Sequence, residues 1–424
     1  MFDTELFESM SRKLFSELLW TSVVASCFSL SCVDTGDPSA ANSVSSVATG
    51  GDVNSGGAGD AASGGTGNLP VGGDTTSGSS GGSSDDGTGN AAAMAPAMGF
   101  GANIGNTFDN TAAWETGWGQ PLVTQAYIEG MASRGIRTVR VPVAWNTYAV
   151  NGVIDTTKMN RVKEVVSWIE AAGMYSIVNI HWDGGWIDNE SNSNRYRLTD
   201  DVKTKFASYW TQISTAFASV SNKVIFEGMN EEGVYYVNGV NNGTPDYAAL
   251  NTMNQLFVTT VRAQGGYNQS RALLISGFAT DIDRTCVSGF TLPSDPAGSG
   301  KLFLSLHFYT PSTFTILESV ASWGSPQTTW GTNAEKTTLQ GLFAKAGAFS
   351  KQRNIPVILG EFAVTTGTTY PRDPASRTLW MESVAKAALS YGMVPVLWDC
   401  GSDIKRTDGS FSADLQSVFT DLNL

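Results

Sequence analysis

Two glutamates stand at the ends of short apolar stretches that are far apart in the chain. Glu231 follows a stretch that begins Lys-Val-Ile-Phe at residue 223, and Glu361 follows Ile-Pro-Val-Ile-Leu-Gly at 355–360. Stretches rich in Val, Ile and Leu are typical of fully buried strands, and carboxylates are rarely buried without a partner or a task. Two carboxylates placed where separate strands leave the core suggest the pair that hydrolyses glycosidic bonds.

Charged groups that could tune this pair stand on or after other predicted strands. Arg140 lies inside a strand, and a buried arginine requires an acidic partner. If Arg140 reaches Glu361, that carboxylate stays ionised and can act as a nucleophile. A second carboxylate that faces an anion has its pKa raised, so Glu231 is expected to stay protonated as a general acid.

The chain contains two histidines, His181 and His307, and both stand at predicted strand ends. Two separated histidines without a clear carboxylate triad make a poor metal site, and no CxxC or HExxH spacing occurs. We therefore expect no metal, and we expect the histidines to hydrogen-bond to a polar substrate or to the nucleophile. Glu227 is interpreted as structural, because it alternates differently from Glu231 along the fourth strand.

Aromatic rings and side-chain amides are common in the segments that follow the predicted strands. Flat aromatic faces next to polar groups suit sugar rings, which present C–H faces and polar edges. The aromatic candidates for such a cleft are Trp118, Trp145, Trp182, Trp186, Tyr309 and Trp398. Trp145 and Trp186 could equally be core residues. Asn103 and Asn230 add amide groups at the ends of the first and fourth strands.

These residues need a scaffold that brings many strand ends together. Apolar strand-like stretches alternate with amphipathic helical stretches, which predicts an α/β protein with a parallel sheet. Eight strands in roughly 330 residues fit a (β/α)₈ TIM barrel, in which catalytic groups lie at the C-terminal ends of the strands. A doubly wound open sheet is the alternative, but no GxGxxG motif follows the first strand.

The predicted elements are read from apolar runs and from 3/4 spacing of apolar residues. The strands are expected at 99–104, 138–142, 175–181, 224–231, 272–276, 302–308, 356–361 and 394–398. The helices are expected at 158–172, 200–220, 247–263, 334–351 and 374–390. Gly173 and Gly392 stand where helices are expected to end.

Composition divides the chain into three parts. Residues 33–94 are almost entirely Gly, Ser, Ala, Thr, Asp and Asn, which predicts a flexible linker. Residues 95–424 are rich in aromatic and β-branched residues and are predicted to form one catalytic domain. Residues 1–32 resemble an export signal, possible lipidation sites being Cys27 and Cys32. The protein is thus expected to be secreted or at the cell surface, with no membrane insertion beyond such an anchor.

Charge and cysteine content limit the partners further. The formal net charge is −13 and no Lys/Arg cluster occurs, which argues against nucleic acid or an anionic membrane surface as a partner. Cys286 and Cys400 could pair after export, but two cysteines make no disulfide framework. The composition is compatible with a neutral polymer as substrate and with a monomer.

Seven motifs, taken together in this order, resemble glycoside hydrolase family 5, most closely its bacterial endoglucanase branch. The likeness runs from about residue 99 to 399. The motifs are Gly-Asn-Thr-Phe-Asp at 105–109, Glu-Thr-Gly-Trp-Gly-Gln-Pro at 115–121, Val-Arg-Val-Pro at 139–142, Asn-Ile-His at 179–181, Phe-Glu-Gly-Met-Asn-Glu at 226–231, His-Phe-Tyr at 307–309 and Gly-Glu-Phe at 360–362.

The resemblance implies a (β/α)₈ barrel and a retaining double displacement without a cofactor. By position, Glu361 matches the nucleophile and Glu231 the acid/base. Asn230 would bind the sugar 2-hydroxyl, and Tyr309 would touch the nucleophile. The other matched supporting positions are Arg140, His181, His307 and Trp398.

Two positions depart from the family pattern. Trp182 stands where the family often has a second histidine, which leaves the substrate preference open. Glu232 stands where a proline usually follows the acid/base, and its negative charge is expected to raise the pKa of Glu231 further.

The chain is therefore predicted to be an exported endo-β-1,4-glucanase, or cellulase, that acts on β-glucan. Xyloglucanase, lichenase and mannanase activities are alternatives on the same scaffold, because loop side chains select the polymer. A non-catalytic polysaccharide-binding barrel is an alternative of another class. An ester hydrolase is disfavoured because no Gly-x-Ser-x-Gly motif occurs.

Overall fold

The computed structural model describes residues 89–240 and 243–424. The predicted export signal at 1–32 and most of the predicted linker at 33–94 lie outside the described residues. The strands are β1 Gly101–Asn103, β2 Thr138–Val141, β3 Ala149–Val150, β4 Val153–Ile154, β5 Tyr175–Asn179, β6 Val224–Glu227, β7 Leu273–Ser276, β8 Leu302–His307, β9 Val357–Glu361 and β10 Val394–Leu397. The α-helices are α1 Ala91–Met98, α2 Gln125–Ser133, α3 Thr156–Ala171, α4 Asp200–Ala216, α5 Tyr247–Arg262, α6 Ile282–Thr285, α7 Ser312–Thr315, α8 Asn333–Arg353, α9 Pro374–Ser390 and α10 Ala413–Leu422.

Eight of the strands form a closed barrel, which confirms the predicted fold. Their order around the barrel is β1, β10, β9, β8, β7, β6, β5 and β2, and every neighbouring pair is parallel. The barrel closes because β1 pairs with both β2 and β10. The strands β3 and β4 form a separate antiparallel hairpin.

The barrel strands are apolar along their length because helices cover the outside while side chains fill the inside. Every residue of β7 and β9 is buried, for example. The helix α3 shows how the outer layer forms. The side chain of Asp155 caps its first turn, and the inward stripe comprises Met159, Val162, Val165, Val166 and Ile169. Gly173 follows α3 with a φ of 82°, as expected for a helix end.

The short helix α1 closes the end of the barrel where the strands begin. Its first amide, at Ala91, donates to the carbonyl of Gly300 at 2.8 Å, and the Thr138 hydroxyl donates to the Met98 carbonyl at 2.7 Å. Gly300 precedes β8 and Thr138 begins β2. The buried side chains of α1 pack on barrel residues that include Tyr175, Ile177, Ile225, Leu274, Phe303 and Val396. The helix begins before residue 95, where the catalytic domain is predicted to start.

Cys286 carries a free thiol, so it is not paired with Cys400. Burial raises the pKa of the Cys286 thiol to about 12, which makes it a poor nucleophile at neutral pH. None of the helices in the described part is long and apolar enough to cross a membrane.

Candidate active site

The C-terminal ends of four barrel strands bring charged groups to one mouth of the barrel. Arg140 lies on β2, and Glu227, His307 and Glu361 are the last residues of β6, β8 and β9. In the pairing of β8 with β9, His307 lies opposite Glu361. The register of this pairing shifts between Leu306 and His307. Because the strands are parallel, these groups share one end of the barrel, which is where active sites of this fold lie.

Arg140 lies at the centre of the site, and all three of its guanidinium nitrogens donate hydrogen bonds. Its Nε donates to Glu227 at 2.7 Å, and its Nη1 donates to Glu361 at 2.8 Å and to Asn103 at 2.9 Å. Its Nη2 donates to the Asn230 side chain at 2.7 Å. The guanidinium is fully buried, so its charge is balanced by carboxylates rather than by water. The contact expected between Arg140 and Glu361 is present.

Glu361 is fully buried and held on both carboxylate oxygens. Oε1 accepts from Arg140, and Oε2 accepts from the Tyr309 hydroxyl at 2.9 Å. The Nδ1 atom of His307 lies 3.7 Å from Oε2. Burial raises the pKa of Glu361, whereas His307, Arg140 and the Tyr309 hydrogen bond act to lower it. The two donors leave the carboxylate in one fixed orientation, as a nucleophile requires.

Glu231 lies four residues beyond the end of β6 and faces the same histidine. Its Oε1 is 2.9 Å from His307 Nδ1. Burial raises the pKa of Glu231 to about 8, with Arg140 lowering it and Glu227 raising it as smaller effects. Burial also lowers the pKa of His307 to about 4, so the imidazole is neutral near pH 7. A carboxyl that keeps its proton near neutral pH is suited to act as a general acid.

The two candidate catalytic carboxylates lie close together. One oxygen of Glu231, one oxygen of Glu361 and one nitrogen of His307 all lie within 4.8 Å of one another. In retaining glycosidases the two carboxyl groups are about 5–5.5 Å apart, and in inverting enzymes about 6.5–9.5 Å. The observed spacing agrees with the retaining arrangement.

The same three side chains are also a group in the described part that could hold a metal ion. The guanidinium of Arg140, however, already donates to Glu361 at 2.8 Å. A divalent cation at this place would face a buried positive charge next to one of its ligands, which opposes binding. The electrostatics of the site therefore favour proton transfer over metal chemistry.

His181 and Trp398 form a stacked pair at the mouth. Their ring centroids are 5.5 Å apart and their planes differ by 10°. Burial lowers the pKa of His181 well below its usual value, and the nearby Arg140 lowers it further. Asn179 lies 3.2 Å from His181 Nδ1. The neutral His181 ring and the indole of Trp398 are thus held nearly parallel to each other.

Of the two predicted cleft aromatics that could equally be core residues, Trp145 is buried and Trp186 is half-buried. Trp145 is 1% exposed, and its indole N–H donates to the Asn179 carbonyl at 2.8 Å. Trp186 is half-buried and packs edge-on against Tyr209, with centroids 5.7 Å apart. The core interpretation therefore applies to Trp145, because its indole N–H ties the segment after β2 to the last residue of β5 rather than meeting a ligand.

Trp182 and Trp118 are half-buried in loops. Trp182 hydrogen-bonds to the side chain of Glu190. Among the described residues, Trp118 makes no hydrogen bond or ring contact with the groups around Arg140. A role of Trp118 in substrate binding stays a prediction.

Asn103 contacts Arg140 rather than open space. Its Oδ1 accepts from Arg140, and its Nδ2 donates to the carbonyls of Gly360 at 2.9 Å and Leu397 at 3.1 Å. The side chain is fully buried, so its visible task is to orient the guanidinium. Asn230 is 3% exposed, and its Oδ1 is occupied by Arg140.

Glu227 is integrated into the site more closely than the structural interpretation indicates. Its two oxygens accept from Arg140, from Ser305 Oγ at 2.7 Å and from Asn179 Nδ2 at 3.1 Å. Glu227 and Glu361 therefore share the same guanidinium, Glu227 through Nε and Glu361 through Nη1. The sequence does contain a feature that could have indicated this role of Glu227. Two polar residues, Asn179 and Ser305, stand inside otherwise apolar barrel strands.

Glu232 is 4% exposed, and its Oε2 accepts from the backbone N–H of Asn230 at 2.9 Å. The sequence predicts that Glu232 raises the pKa of Glu231. The principal causes of that raised pKa are instead burial and, to a smaller extent, the charge of Glu227.

Comparisons with known proteins cover the whole site. The model of the family described as cellulase (glycosyl hydrolase family 5) matches residues 100–403. Endoglucanase A of Paenibacillus barcinonensis is 32% identical over 341 residues, which cover 73% of this chain and 82% of that protein. All residues placed around Arg140 lie inside the matched range.

Solved structures agree with the barrel. A broad-specificity GH5-4 endoglucanase from an uncultured bovine rumen ciliate is 31% identical with a TM-score of 0.69, covering 78% of this chain and 98% of that one. A Bacteroides ovatus GH5 xyloglucanase in complex with a XXXG heptasaccharide is 28% identical with a TM-score of 0.69, covering 79% of this chain and 77% of that one.

Proposed function

Because the chain belongs to glycosyl hydrolase family 5, we propose that it is a retaining endo-β-1,4-glucanase with Glu361 as nucleophile and Glu231 as acid/base. The proposal is carried by one observation: oxygens of these two glutamates lie within 4.8 Å of each other and of His307. A closest oxygen–oxygen approach within this distance supports the shorter carboxyl separation of retaining enzymes over the wider separation of inverting ones.

In the first step, a Glu361 oxygen attacks the anomeric carbon while the bond to the leaving sugar breaks. Glu231 gives its proton to the leaving oxygen, and a covalent glycosyl–enzyme ester forms. In the second step, Glu231, now ionised, takes a proton from water, and the water oxygen attacks the anomeric carbon. Glu361 leaves as carboxylate, and Glu231 is protonated again. Two displacements restore the original anomeric configuration.

The residues around the pair support both steps. Arg140 and Tyr309 hold the two oxygens of Glu361, so the carboxylate is aimed before the substrate arrives. Arg140 also fixes the Oδ1 atom of Asn230, which orients the amide so that its nitrogen can donate to a sugar 2-hydroxyl. The stacked rings of His181 and Trp398 offer a flat surface for a pyranose ring.

The relatives and the aromatic residues at the mouth support the proposed substrate class. We propose a β-1,4-glucan backbone, cleaved at internal bonds. Xyloglucan is the second candidate, because a xyloglucanase is among the similar structures and because Trp182 replaces a frequent family histidine at the cleft wall. Both candidates share the same backbone linkage and the same chemistry.

We also propose that the enzyme is exported and works as a monomer. The pattern of basic residues before an apolar stretch within residues 1–32 supports export, with Cys27 or Cys32 as the candidate lipidation site. One barrel supplies every group named around Arg140, so the chemistry needs no residue from a second copy.

The proposed function is tested with a panel of soluble β-1,4-glucan, mixed-linkage glucan, xyloglucan and mannan. Solution viscosity and new reducing ends are followed together, with Glu361→Gln as the inactive control. An endo-acting glucanase lowers viscosity well before reducing ends accumulate. Release of no reducing ends from any polymer, with binding retained, would instead favour a non-catalytic polysaccharide-binding barrel.

A further inference from the structure

Glu232 is a buried carboxyl without full hydrogen bonding. One of its oxygens, Oε2, accepts from the backbone N–H of Asn230 at 2.9 Å, so the side chain folds back beside the peptide that joins Asn230 to Glu231. The other oxygen, Oε1, is buried and has no hydrogen-bond partner among the residues that the structure describes. Burial of an ionised carboxylate with one bare oxygen is very unfavourable. The position is therefore costly unless the group is neutral.

The surroundings of Glu232 are acidic. Asp188 is 3% exposed, and the carboxyl groups of Asp188, Glu231 and Glu190, when ionised, all disfavour a negative charge on Glu232. Burial, the largest cause, and these three charges together raise the pKa of Glu232 well above its usual value. A neutral carboxylic acid can still accept the Asn230 N–H, while it avoids repulsion from Asp188.

Two carboxyl groups hold the segment 230–234 at its two ends. Glu232 accepts from the amide of Asn230, and Asp188 Oδ1 accepts from the amides of Gly233 at 2.9 Å and Val234 at 3.1 Å. The segment begins three residues beyond the last residue of β6, so no strand pairing fixes its backbone. Glu231, the proposed acid/base, lies between the two fixed points.

We infer that Glu232, as a neutral carboxylic acid, is a positioning residue that fixes the backbone at Glu231 and keeps the Glu231 carboxyl against His307. The inference rests on the proposed role of Glu231. A proline, which usually follows the acid/base in this family, restricts the backbone of the preceding residue by its ring. Glu232 achieves a similar restriction through a hydrogen bond to the residue before the acid/base.

The effect of a positioning residue for the acid/base depends on the leaving group. Cleavage of a glucan releases a sugar hydroxyl, which must be protonated, so it needs a correctly placed Glu231. A 2,4-dinitrophenyl glycoside releases a stable phenolate that needs no proton. Its kcat/KM reports the first step and is therefore insensitive to the placement of the acid.

The experiment compares Glu232→Met, which keeps the length but removes the acceptor, with Glu232→Gln, which keeps a neutral acceptor. We expect Glu232→Met to lower kcat/KM on soluble β-glucan about 10- to 100-fold and on 2,4-dinitrophenyl cellobioside by no more than about threefold. We expect Glu232→Gln to stay within about threefold of the wild type on both substrates. Glu232→Ala serves as a second acceptor-free variant if Glu232→Met does not fold.

Equal losses on both substrates would assign Glu232 a purely structural role, and a loss in Glu232→Gln as large as in Glu232→Met would show that an acidic group is needed. Either result overturns the inference.

Glu231→Gln is measured in parallel and should lose glucan hydrolysis while keeping kcat/KM on the dinitrophenyl substrate. If Glu231→Gln keeps glucan hydrolysis, the proposed function fails. If Glu231→Gln behaves as expected and the acceptor-free variant equals the wild type, only the role of Glu232 fails.

Discussion

The Nη1 atom of Arg140 lies 2.8 Å from Oε1 of Glu361, and neither side chain is exposed to solvent. The same guanidinium donates to Glu227 at 2.7 Å. One buried cation thus faces two buried carboxylates, and its removal would leave both uncompensated. The charge of the proposed nucleophile therefore depends in part on a residue from another strand, alongside His307 and the Tyr309 hydroxyl.

We expect Arg140→Lys to lower kcat/KM on β-glucan by about 10²-fold or more, because an ammonium group cannot reproduce four donor contacts in a planar fork. We also expect both variants to be less stable than the wild type. Arg140→Met, which removes the cation altogether, should lower the free energy of unfolding by about 3–5 kcal/mol. Steady-state kinetics and thermal unfolding check both effects.

The matched control for Arg140 is Arg271, which is equally buried but donates to backbone carbonyls and to Asn268. Arg271→Lys should reduce stability without changing kcat/KM per folded molecule. Loss of kcat/KM in both variants alike would mean that Arg140 only supports the fold.

Glu361→Gln should reduce kcat on every substrate by about 10⁴-fold, because the amide cannot form the covalent intermediate. Gln keeps the size of the side chain and can still meet the Tyr309 hydroxyl and one Arg140 donor, so the circular-dichroism spectrum should be unchanged. Unlike Glu231→Gln, this variant should lose activity on the dinitrophenyl substrate as well. Retention of more than a few per cent of wild-type kcat would rule out Glu361 as the nucleophile.

The first product of hydrolysis should be the β-anomer. Two inverting displacements at the anomeric carbon restore its configuration, and the short distance between the oxygens of Glu231 and Glu361 agrees with this route. Proton NMR within the first minutes of reaction, before mutarotation, distinguishes the two anomers. Initial appearance of the α-anomer would require a direct attack by water and would contradict the proposed nucleophile.

The activity should fall on the alkaline side near pH 8. Glu231 must carry a proton to act as the acid, and burial raises its pKa to about 8. The fall should appear in kcat/KM on glucan and be much weaker on the dinitrophenyl substrate, which needs no acid. An alkaline limb of equal size on both substrates would assign the titration to another group.

Glu231→Gln should be more stable than the wild type at alkaline pH. The pKa of Glu231 rises from 4.5 to about 8 on folding, so the folded state prefers the protonated form. The stability from this preference is complete below about pH 4.5 and is lost as the pH rises towards 8. The Tm difference between the variant and the wild type should therefore grow between pH 4.5 and 8 and then level off. A constant difference across this range would mean that Glu231 is not the titrating group.

The barrel could be predicted because its strands are buried on both faces. Each observed strand of the barrel lies within a predicted one. The helix α9 has the predicted bounds 374–390. Pro374 starts this helix, and Gly392 follows its end with a φ of 69°.

The helices α1, α2 and α10 could not be predicted in the same way. The helix α1 lies partly in a stretch with linker-like composition. The helix α2 buries only Tyr127, Ile128 and Met131. Such short helices are stabilised by tertiary contacts rather than by their own pattern.

The site could be predicted as a set of residues but not as a network. Polar residues at strand ends identified His307 and Glu361, and a charged residue inside an apolar strand identified Arg140. The predicted fourth strand runs to 231, whereas β6 ends at Glu227, so strand alternation could not be used to relate Glu227 to Glu231. Arg140 contacts both Glu227 and Glu361 because of distances across the barrel, and no local sequence pattern encodes those distances.

The position of α1 has a consequence for where a group can be attached to the protein. It occupies the end of the barrel where the strands begin, and the carboxylates lie at the end where the strands finish. The described part of the chain therefore begins, at residue 89, at the pole opposite the carboxylates. A label attached at the start of α1 would lie at this pole, on the far side of the barrel from the proposed site of polymer cleavage.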